Sequence, residues 1–342
     1  LSKKSFIEDL REGERIDELF MVKQVRHGET RAGKPYLHLT LGDKSGETGA
    51  PVWDNSEAVT PHCRLGAVIR VRGMVQSYRD TLQLKVESIE PVEDQQVELH
   101  HFIPVSSRTP DDMAHELRTV IEKVANRFLR LLLQDIFFGT ETGAQFVAAP
   151  AAKGLHHAYQ GGLLEHTLSM VKVASMLADH YPGVDSDLLV AGVLLHDVGK
   201  TVELDAVAGA VEYSDTGRLK GHLLIGCEII TAAAAAIADF PGELLIHLHH
   251  LVLSHHGRLE FGSPVVPMTP EALLLSFIDD VDAKMNRFEQ LRRKLKTGTP
   301  QWSDYQRSME RYLYLTPLDG NADLEQSKEK PVQSLRQPRL FG

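Results

Sequence analysis

Cysteine is nearly absent from this sequence: Cys63 and Cys227 are the two in 342 residues. They lie far apart in segments of different character, so no disulfide framework is expected and a reducing, cytoplasmic compartment is. The same scarcity removes the paired thiolates that a structural zinc site needs. No run approaches the roughly 18–20 uninterrupted apolar residues of a membrane span, so no membrane association is expected. The opening LSKKSFIEDLREGERI lacks the apolar core of a signal peptide, and export is not expected either. A cationic surplus is also missing, since 37 Lys and Arg face 47 Asp and Glu for a net charge of −10. That balance argues against a chain coated in cations for duplex binding, while leaving room for a local basic groove.

What is present is an ordinary globular composition, 42% hydrophobic and 25% charged, in a chain long enough for two domains. Residues 15–92 read as short β segments between turn signals: Ile16–Arg26, Tyr36–Leu41 with the alternation YLHLTL, Ala50–Trp53, Val68–Val75 and Leu82–Ile89. A short polar helix is expected near Ser56–Thr60. Five strands with a helix between the third and fourth follow the order of an OB-fold barrel, and the stretch resembles nucleic-acid-binding OB modules of the tRNA-anticodon type. Residues 1–14 are an extension before it, and 93–110 a polar, proline-punctuated linker. From Asp111 the period turns helical. Asp111 or Asp112 is the expected cap of one helix carrying Leu117, Val120, Ile121, Val124, Phe128 and Leu131 on its apolar face. Further helices are expected at Leu163–His180, Asp187–Asp197, His222–Ala238, Glu243–Ser254 and Glu271–Lys294. The expected architecture is thus β then α: a five-stranded OB-fold barrel, an all-α bundle over residues 111–315, and a disordered tail over 316–342.

The 17 histidines concentrate in the central and later chain. Seven residues stand out in short apolar contexts: His166 in GGLLEHT, His196 and Asp197 in LLHDVGK, His222 in KGHLLIG, His255 and His256 in LSHHG, and Asp279 in FIDDVDA. A single histidine on an apolar helix is ordinarily a hydrogen-bonded core residue. Adjacency and recurrence alter that reading. His196 and Asp197 end the apolar run LLVAGVLL just before Gly199, where burying a carboxylate is costly without a cation. His255 and His256 repeat the arrangement before Gly257. The seven together are expected to form a divalent-metal site, with Asp280 as the alternative to Asp279. Mixed imidazole and carboxylate donors suit Mn, Fe, Co, Ni or Zn better than Ca. In phosphoryl chemistry such a site lowers the pKa of a bound water from 15.7 towards roughly 7 and clamps the phosphate oxygens.

The order H…HD…H…HH…D resembles that of the HD superfamily of metal-dependent phosphohydrolases, including two-metal members such as the HD-GYP phosphodiesterases, although the GYP motif is absent. Matching DDVDA to the superfamily's ADxxDA segment puts Asp279 on the ligand position. Members with a third metal carry a Glu one turn before the first His, where this chain has Gly162, so the resemblance implies two metals. The wider text (YQGGLLEHTLSMVKVA, LLHDVGKTVEL, GRLKGHLLIGCEII and LVLSHHGRLEFGSPVVPMTPEALLLSFIDDVDAKM, behind an OB module) resembles the YhaM family of bacterial 3′→5′ exoribonucleases. That resemblance implies metal-dependent removal of 3′ nucleotides from single-stranded RNA by an activated water, with activity on single-stranded DNA open. It implies two divalent ions, Mn²⁺ foremost, with Co²⁺, Fe²⁺, Ni²⁺, Zn²⁺ or Mg²⁺ as alternatives. The competing reading is an HD phosphohydrolase or phosphodiesterase acting on small or cyclic nucleotides.

Several residues near these motifs are candidates for substrate contact, each beside a plainer role. Lys200 is expected to reach a substrate phosphate, or else to serve as a helix-end lysine. His157 is a candidate general acid for the departing 3′-oxygen, or a structural histidine. Arg218 and Lys220 offer cations at the edge of the site, and Asp282 is expected to orient a ligand or Lys284. In the barrel, Arg26, Arg31, Lys34, Arg70 and Arg72 are the cationic candidates and Tyr36, Trp53 and Tyr78 the stacking ones, against the alternative of a solvated strand face. The terminal QPRLF, with Gln337, Leu340 and Phe341, resembles the peptide by which bacterial proteins dock on the replication sliding clamp. Self-association is left open.

Overall fold

The computed structural model describes residues 3–30, 33–78, 81–92, 97–98, 101–102, 108–151, 159–207, 210–293, 295 and 299–316. The chain divides into two compact units, Leu1–Asp282 and Ala283–Gly342.

Within the first unit, strands β1 (Arg15–Glu29), β2 (Pro35–Asp43), β3 (Gly46–Val52), β4 (Val68–Tyr78) and β5 (Thr81–Pro91) close a barrel in the order β1-β2-β3-β5-β4. The short helix α1 (Ser56–Val59) lies between β3 and β4 in sequence, as an OB-fold requires. A single parallel pairing, Gly49 with Gln83, joins β3 to β5, and antiparallel pairing of β1 with β4 completes the ring. The period of two in β2 sends Leu37, Leu39 and Leu41 into a core with Phe20, Val52 and Val71, leaving Tyr36, His38 and Thr40 outside. The segment before β1 is not loose. Lys3 is buried, its ammonium 3.2 Å from Asp43 and donating to Leu19 O at 2.7 Å. In the segment read as a linker, Phe102 is fully buried against Leu19, Met21 and Val68.

The helical part of this unit holds α2 (Pro110–Lys123), α3 (Arg127–Phe137), α4 (Glu141–Ala148), α5 (Gly162–His180), α6 (Ser186–Leu195), α7 (Lys200–Glu203), α8 (Asp215–Ala235), α9 (Gly242–Ser254) and the start of α10 (Pro270–Arg293). The single helix expected from Asp111 is two. Thr109 rather than Asp111 or Asp112 caps α2, accepting from Asp112 N. Val124 then turns extended, and the Asn126 side chain accepts from Phe128 N and Leu129 N to start α3. The restart shifts the helical phase, so Leu129, Leu132 and Leu133 are buried while Leu131 is exposed. Two short hairpins interrupt the helical half: β6 (Leu204–Val207) with β7 (Ala210–Tyr213), and β8 (Gln301–Trp302) with β9 (Tyr314–Leu315) in the second unit. No helix among the described residues is long and apolar enough to cross a membrane.

Helix α6 sets the depth of everything that follows. Its residues Leu188–Leu195 are all buried, which is the pattern of a helix enclosed on every side. Each buried leucine contributes about 1.5–3 kcal/mol relative to exposure, so the helix is anchored firmly enough to carry polar residues inward at its end.

Replacing Asn126 by Ala removes the cap of α3 and is expected to lower stability by about 1 kcal/mol. A urea titration should show a lower midpoint with an unchanged slope; an unchanged midpoint would refute the capping role.

Candidate metal centre

Five elements bring their polar residues to one place. Helix α5 supplies His166, the end of α6 supplies His196 and Asp197, and α8 supplies His222. The end of α9 supplies His255 and His256, and α10 supplies Asp279. The seven form three overlapping triads: His166–His196–Asp197, His196–His255–Asp279 and His222–His255–His256. Within each triad the donor atoms lie within 4.8 Å of one another.

The backbone makes this convergence feasible at two glycines. At Gly199 an added Cβ would come 2.0 Å from His222 O, so only glycine lets the turn after Asp197 lie against α8. Gly221 adopts φ 73° and ψ 153° inside α8, a conformation open to glycine, and breaks the helix just before His222. The break releases the His222 N–H, which donates to Glu203 Oε1 at 3.0 Å instead of to the preceding turn.

Hydrogen bonds then orient the rings. His196 Nδ1 donates to Val193 O and His255 Nδ1 to Val252 O, both at 2.7 Å. A carbonyl only accepts, so each Nδ1 carries the proton and each Nε2 keeps its lone pair. Glu203 holds His222 Nδ1 at 3.1 Å, and Asp282 holds His166 Nδ1 at 2.8 Å. Ser169 Oγ donates to the other oxygen of Asp282. On the inner side, His196 Nε2, Asp197 Oδ1, His222 Nε2 and His256 Nδ1 are buried with no hydrogen-bond partner among the described residues. Buried polar atoms are rarely left so, and four converging ones are the donor set that a cation satisfies. Imidazole nitrogens and carboxylate oxygens fit a divalent transition metal.

The charges are arranged to match. Burial alone would raise the Asp197 carboxyl, but the Lys200 ammonium, donating to its Oδ2 at 2.6 Å, and the neighbouring histidines hold it well below the usual range. Asp279 is likewise held down against burial, mainly by His166 at 3.2 Å. His255 and His256 are driven down by desolvation and neighbouring imidazoles, which keeps them neutral. Burial would lower His166 too, yet Asp279 and Asp282 overcome it and push that imidazole up to about 9. Asp280, by contrast, is exposed.

The other sequence-derived candidates are dispersed. Lys200 faces Asp197, as above. Arg218 lies 3.8 Å from Glu212, and Lys220 lies 2.8 Å from Glu228. In the barrel, Arg26 is exposed opposite His38, beside Gly28, against which the Tyr36 ring lies. Tyr36 and Trp53 stack at 4.7 Å with their planes 28° apart. Lys34 pairs with Asp54 at 3.0 Å. Arg70 and Arg72 share Asp17, and Arg72 also meets Glu90 at 2.8 Å, so their charge is offset on the β1–β4 face. Tyr78 is exposed at the end of β4. His157, Arg31 and the QPRLF tail lie outside the described residues. Glu203 and Ser169 were not singled out in the sequence. The signal for Glu203 was a carboxylate inside the apolar-flanked HDVGKTVEL, one short helix after the HD pair.

Gly221→Ala should strain the break before His222 and cost about 1–3 kcal/mol, measurable by chemical denaturation. Equal stability of the two proteins would show that the break does not require glycine.

Comparison with known proteins agrees with both halves of this structure. Residues 163–284 match the HD domain, and residues 21–92 match the OB-fold nucleic acid binding domain. The 3′-5′ exoribonuclease YhaM of Bacillus subtilis (strain 168) is 36% identical over 287 residues, covering 84% of this chain and 90% of that protein. The YhaM of Geobacillus sp. (strain WCH70) is also 36% identical over 287 residues, covering 84% and 87%. That of Halalkalibacterium halodurans is 34% identical over 306 residues, covering 89% and 94%. A barrel of OB order, an HD domain holding seven converging donors and identity along nearly the whole of these relatives lead to one assignment: the chain belongs to the YhaM family of 3′-5′ exoribonucleases, a family of hydrolases.

Proposed function

We propose that this protein is a divalent-metal-dependent 3′→5′ exoribonuclease acting on single-stranded RNA. The observation that carries the reading is the set of ring orientations: four imidazoles have Nδ1 held by an acceptor and Nε2 turned inward beside two ionised carboxylates. His166, His196, Asp197, His222, His255, His256 and Asp279 are the proposed ligands. Seven donors exceed what one tetrahedral or octahedral ion accepts, which favours two ions. Mn²⁺ is the proposed cation. When bound, such ions supply Lewis acidity to the phosphate oxygens and lower the pKa of a nearby water.

The chain's own residues prepare that chemistry. Lys200 keeps Asp197 ionised and takes up its Oδ2, leaving Oδ1 turned towards His222 and His255 at 3.5 and 3.7 Å. Glu203 and Asp282 hold the Nδ1 atoms of His222 and His166, so that neither ring must turn to bind. The apolar packing of α6 excludes water from the rear of the site. In the reaction, water adds to the terminal phosphorus and the P–O3′ bond breaks. The shortened strand recovers its 3′-hydroxyl, and a nucleoside 5′-monophosphate departs. On the barrel, the stacked Tyr36–Trp53 pair with Arg26 beside it is the proposed strand-holding face, a cation with aromatic platforms as single strands require. The paired Arg70 and Arg72 are the weaker candidates there.

Incubation with Mn²⁺ and 5′-labelled single-stranded RNA is expected to produce a ladder shortening from the 3′ end, lost in Asp197→Ala by several orders of magnitude. Intact RNA alongside hydrolysed mononucleotides or cyclic dinucleotides would replace this reading with that of a small-nucleotide phosphodiesterase. Single-stranded DNA in the same assay measures sugar preference.

Metal binding should also depend on pH. Below its pKa of about 9 the metal-free His166 carries a proton that an incoming ion must displace. Affinity for Mn²⁺ measured by calorimetry should therefore rise from pH 6.5 towards about 9 and level off above it. A flat profile would show that His166 is not a ligand.

A further inference from the structure

The chain leaves the pair His255–His256 by a tight loop that contributes no ligand of its own. Gly257, with φ 78°, follows the pair directly, a single 3₁₀ turn runs over Leu259–Phe261, and Gly262, with φ 94°, turns the backbone again. Both glycines stand in the left-handed region that side chains rarely adopt. Backbone hydrogen bonds close the loop on itself: Phe261 N and Ser263 N donate to Arg258 O at 3.2 and 3.3 Å, and Gly262 N donates to Leu259 O at 3.0 Å. The shape so fixed lies against the centre. A Cβ placed on Gly262 would stand 3.8 Å from His256 Nδ1, which is buried without a hydrogen-bond partner among the described residues.

Next to Gly262 an aromatic ring is left open. Phe261 is 63% exposed, while Ser263, two residues on, is buried. The Arg258 guanidinium lies over the Phe261 ring, 5.7 Å from its centroid. A ring accepts a cation on its face, so one face is backed and the other is free for a second planar group. Arg258 meets no carboxylate among the described residues, the nearby Glu260 included. Arg218 and Lys220, the cations expected at the edge of the site, are by contrast engaged by Glu212 and Glu228.

The position of the open face says what occupies it. A terminal phosphodiester brought to the seven donors carries the departing nucleotide with it, whose base hangs one sugar away from the bond that breaks. Adjacent Cα atoms are about 3.8 Å apart, so a ring one residue from the backbone that touches His256 lies within that reach. An apolar protein surface seated there would cover Arg258 without a counter-charge. A nucleotide brings both a flat ring and an anion. Stacking also tolerates every base, as removal of successive nucleotides requires.

We propose that Phe261, backed by Arg258, is the platform on which the base of the 3′-terminal nucleotide stacks, and so a substrate-binding residue of the cleavage site. This rests on the exoribonuclease reading and adds to it the place where the departing base is held. Two 5′-labelled oligo(A) strands of equal length test it, one ending in adenosine and the other in a ribose that carries hydrogen in place of the base. With Mn²⁺, release of the first nucleotide by the unaltered full chain should favour the base-bearing end by about tenfold in kcat/KM, mostly through KM. Phe261→Ala should bring that preference close to one, and Phe261→Trp should keep it.

No preference in the unaltered chain, or the same preference in Phe261→Ala, would overturn the proposal. So would an equal slowing at both ends in Phe261→Ala, which would trace the effect of the ring to the seating of His256. If the unaltered chain shortens neither strand, the exoribonuclease reading fails and this contact with it. Strands shortened without any effect of the ring remove the contact alone.

Discussion

A carboxylate inside an apolar interior must be met by positive charge or by hydrogen-bond donors, and Asp197 sits at the end of a helix whose last eight residues are all buried. The centre of this molecule is organised around that demand. Lys200 answers one oxygen, and the Nε2 atoms of His222 and His255 face the other. The imidazoles can face it only because carbonyls and carboxylates occupy their outer nitrogens. Asp279 repeats the problem from α10, and His166 sits between it and Asp282. The resulting chain of acceptor, imidazole and inward-facing nitrogen is what makes the cluster suitable for a cation.

The same constraint explains why the surrounding fold is so particular at a few points. Gly199 permits two backbones to approach closely enough for α6 and α8 to share the cluster. The break at Gly221 turns a helix interior into a donor for Glu203. Neither glycine touches the donor atoms, yet both decide where those atoms lie. In the barrel the demand is lighter, because the proposed strand-holding face lies at the surface. Tyr36 and Trp53 need only a flat neighbour, which Gly28 provides, and not a closed electrostatic network.

The elements most legible in the sequence were those with an uninterrupted period. In the barrel, β2 shows an alternation that matches its pleat, and α5, α6, α9 and α10 lie where their apolar text puts them. The break between α2 and α3 was not legible. Val124 and Phe128 fit one helical stripe, and only the Asn126 side chain, with Asp187 Oδ2 accepting from its backbone N–H at 2.6 Å, starts a new helix there. The β6–β7 hairpin was hidden for a related reason: four-residue strands carry too little pattern to stand out between helices.

What the sequence determined by itself was the inventory: which residues have metal-binding chemistry, the apolar text that buries them, and the order of barrel and helices. It could do so because ligand type and burial pattern are local properties, written within a few residues. Which atoms point inward, which carboxylate serves Lys200 and which serves a histidine, and that Asp279 joins the cluster while Asp280 faces solvent were decided only by tertiary structure. These outcomes depend on contacts between residues more than a hundred positions apart, such as His166 with Asp282, which no local pattern encodes.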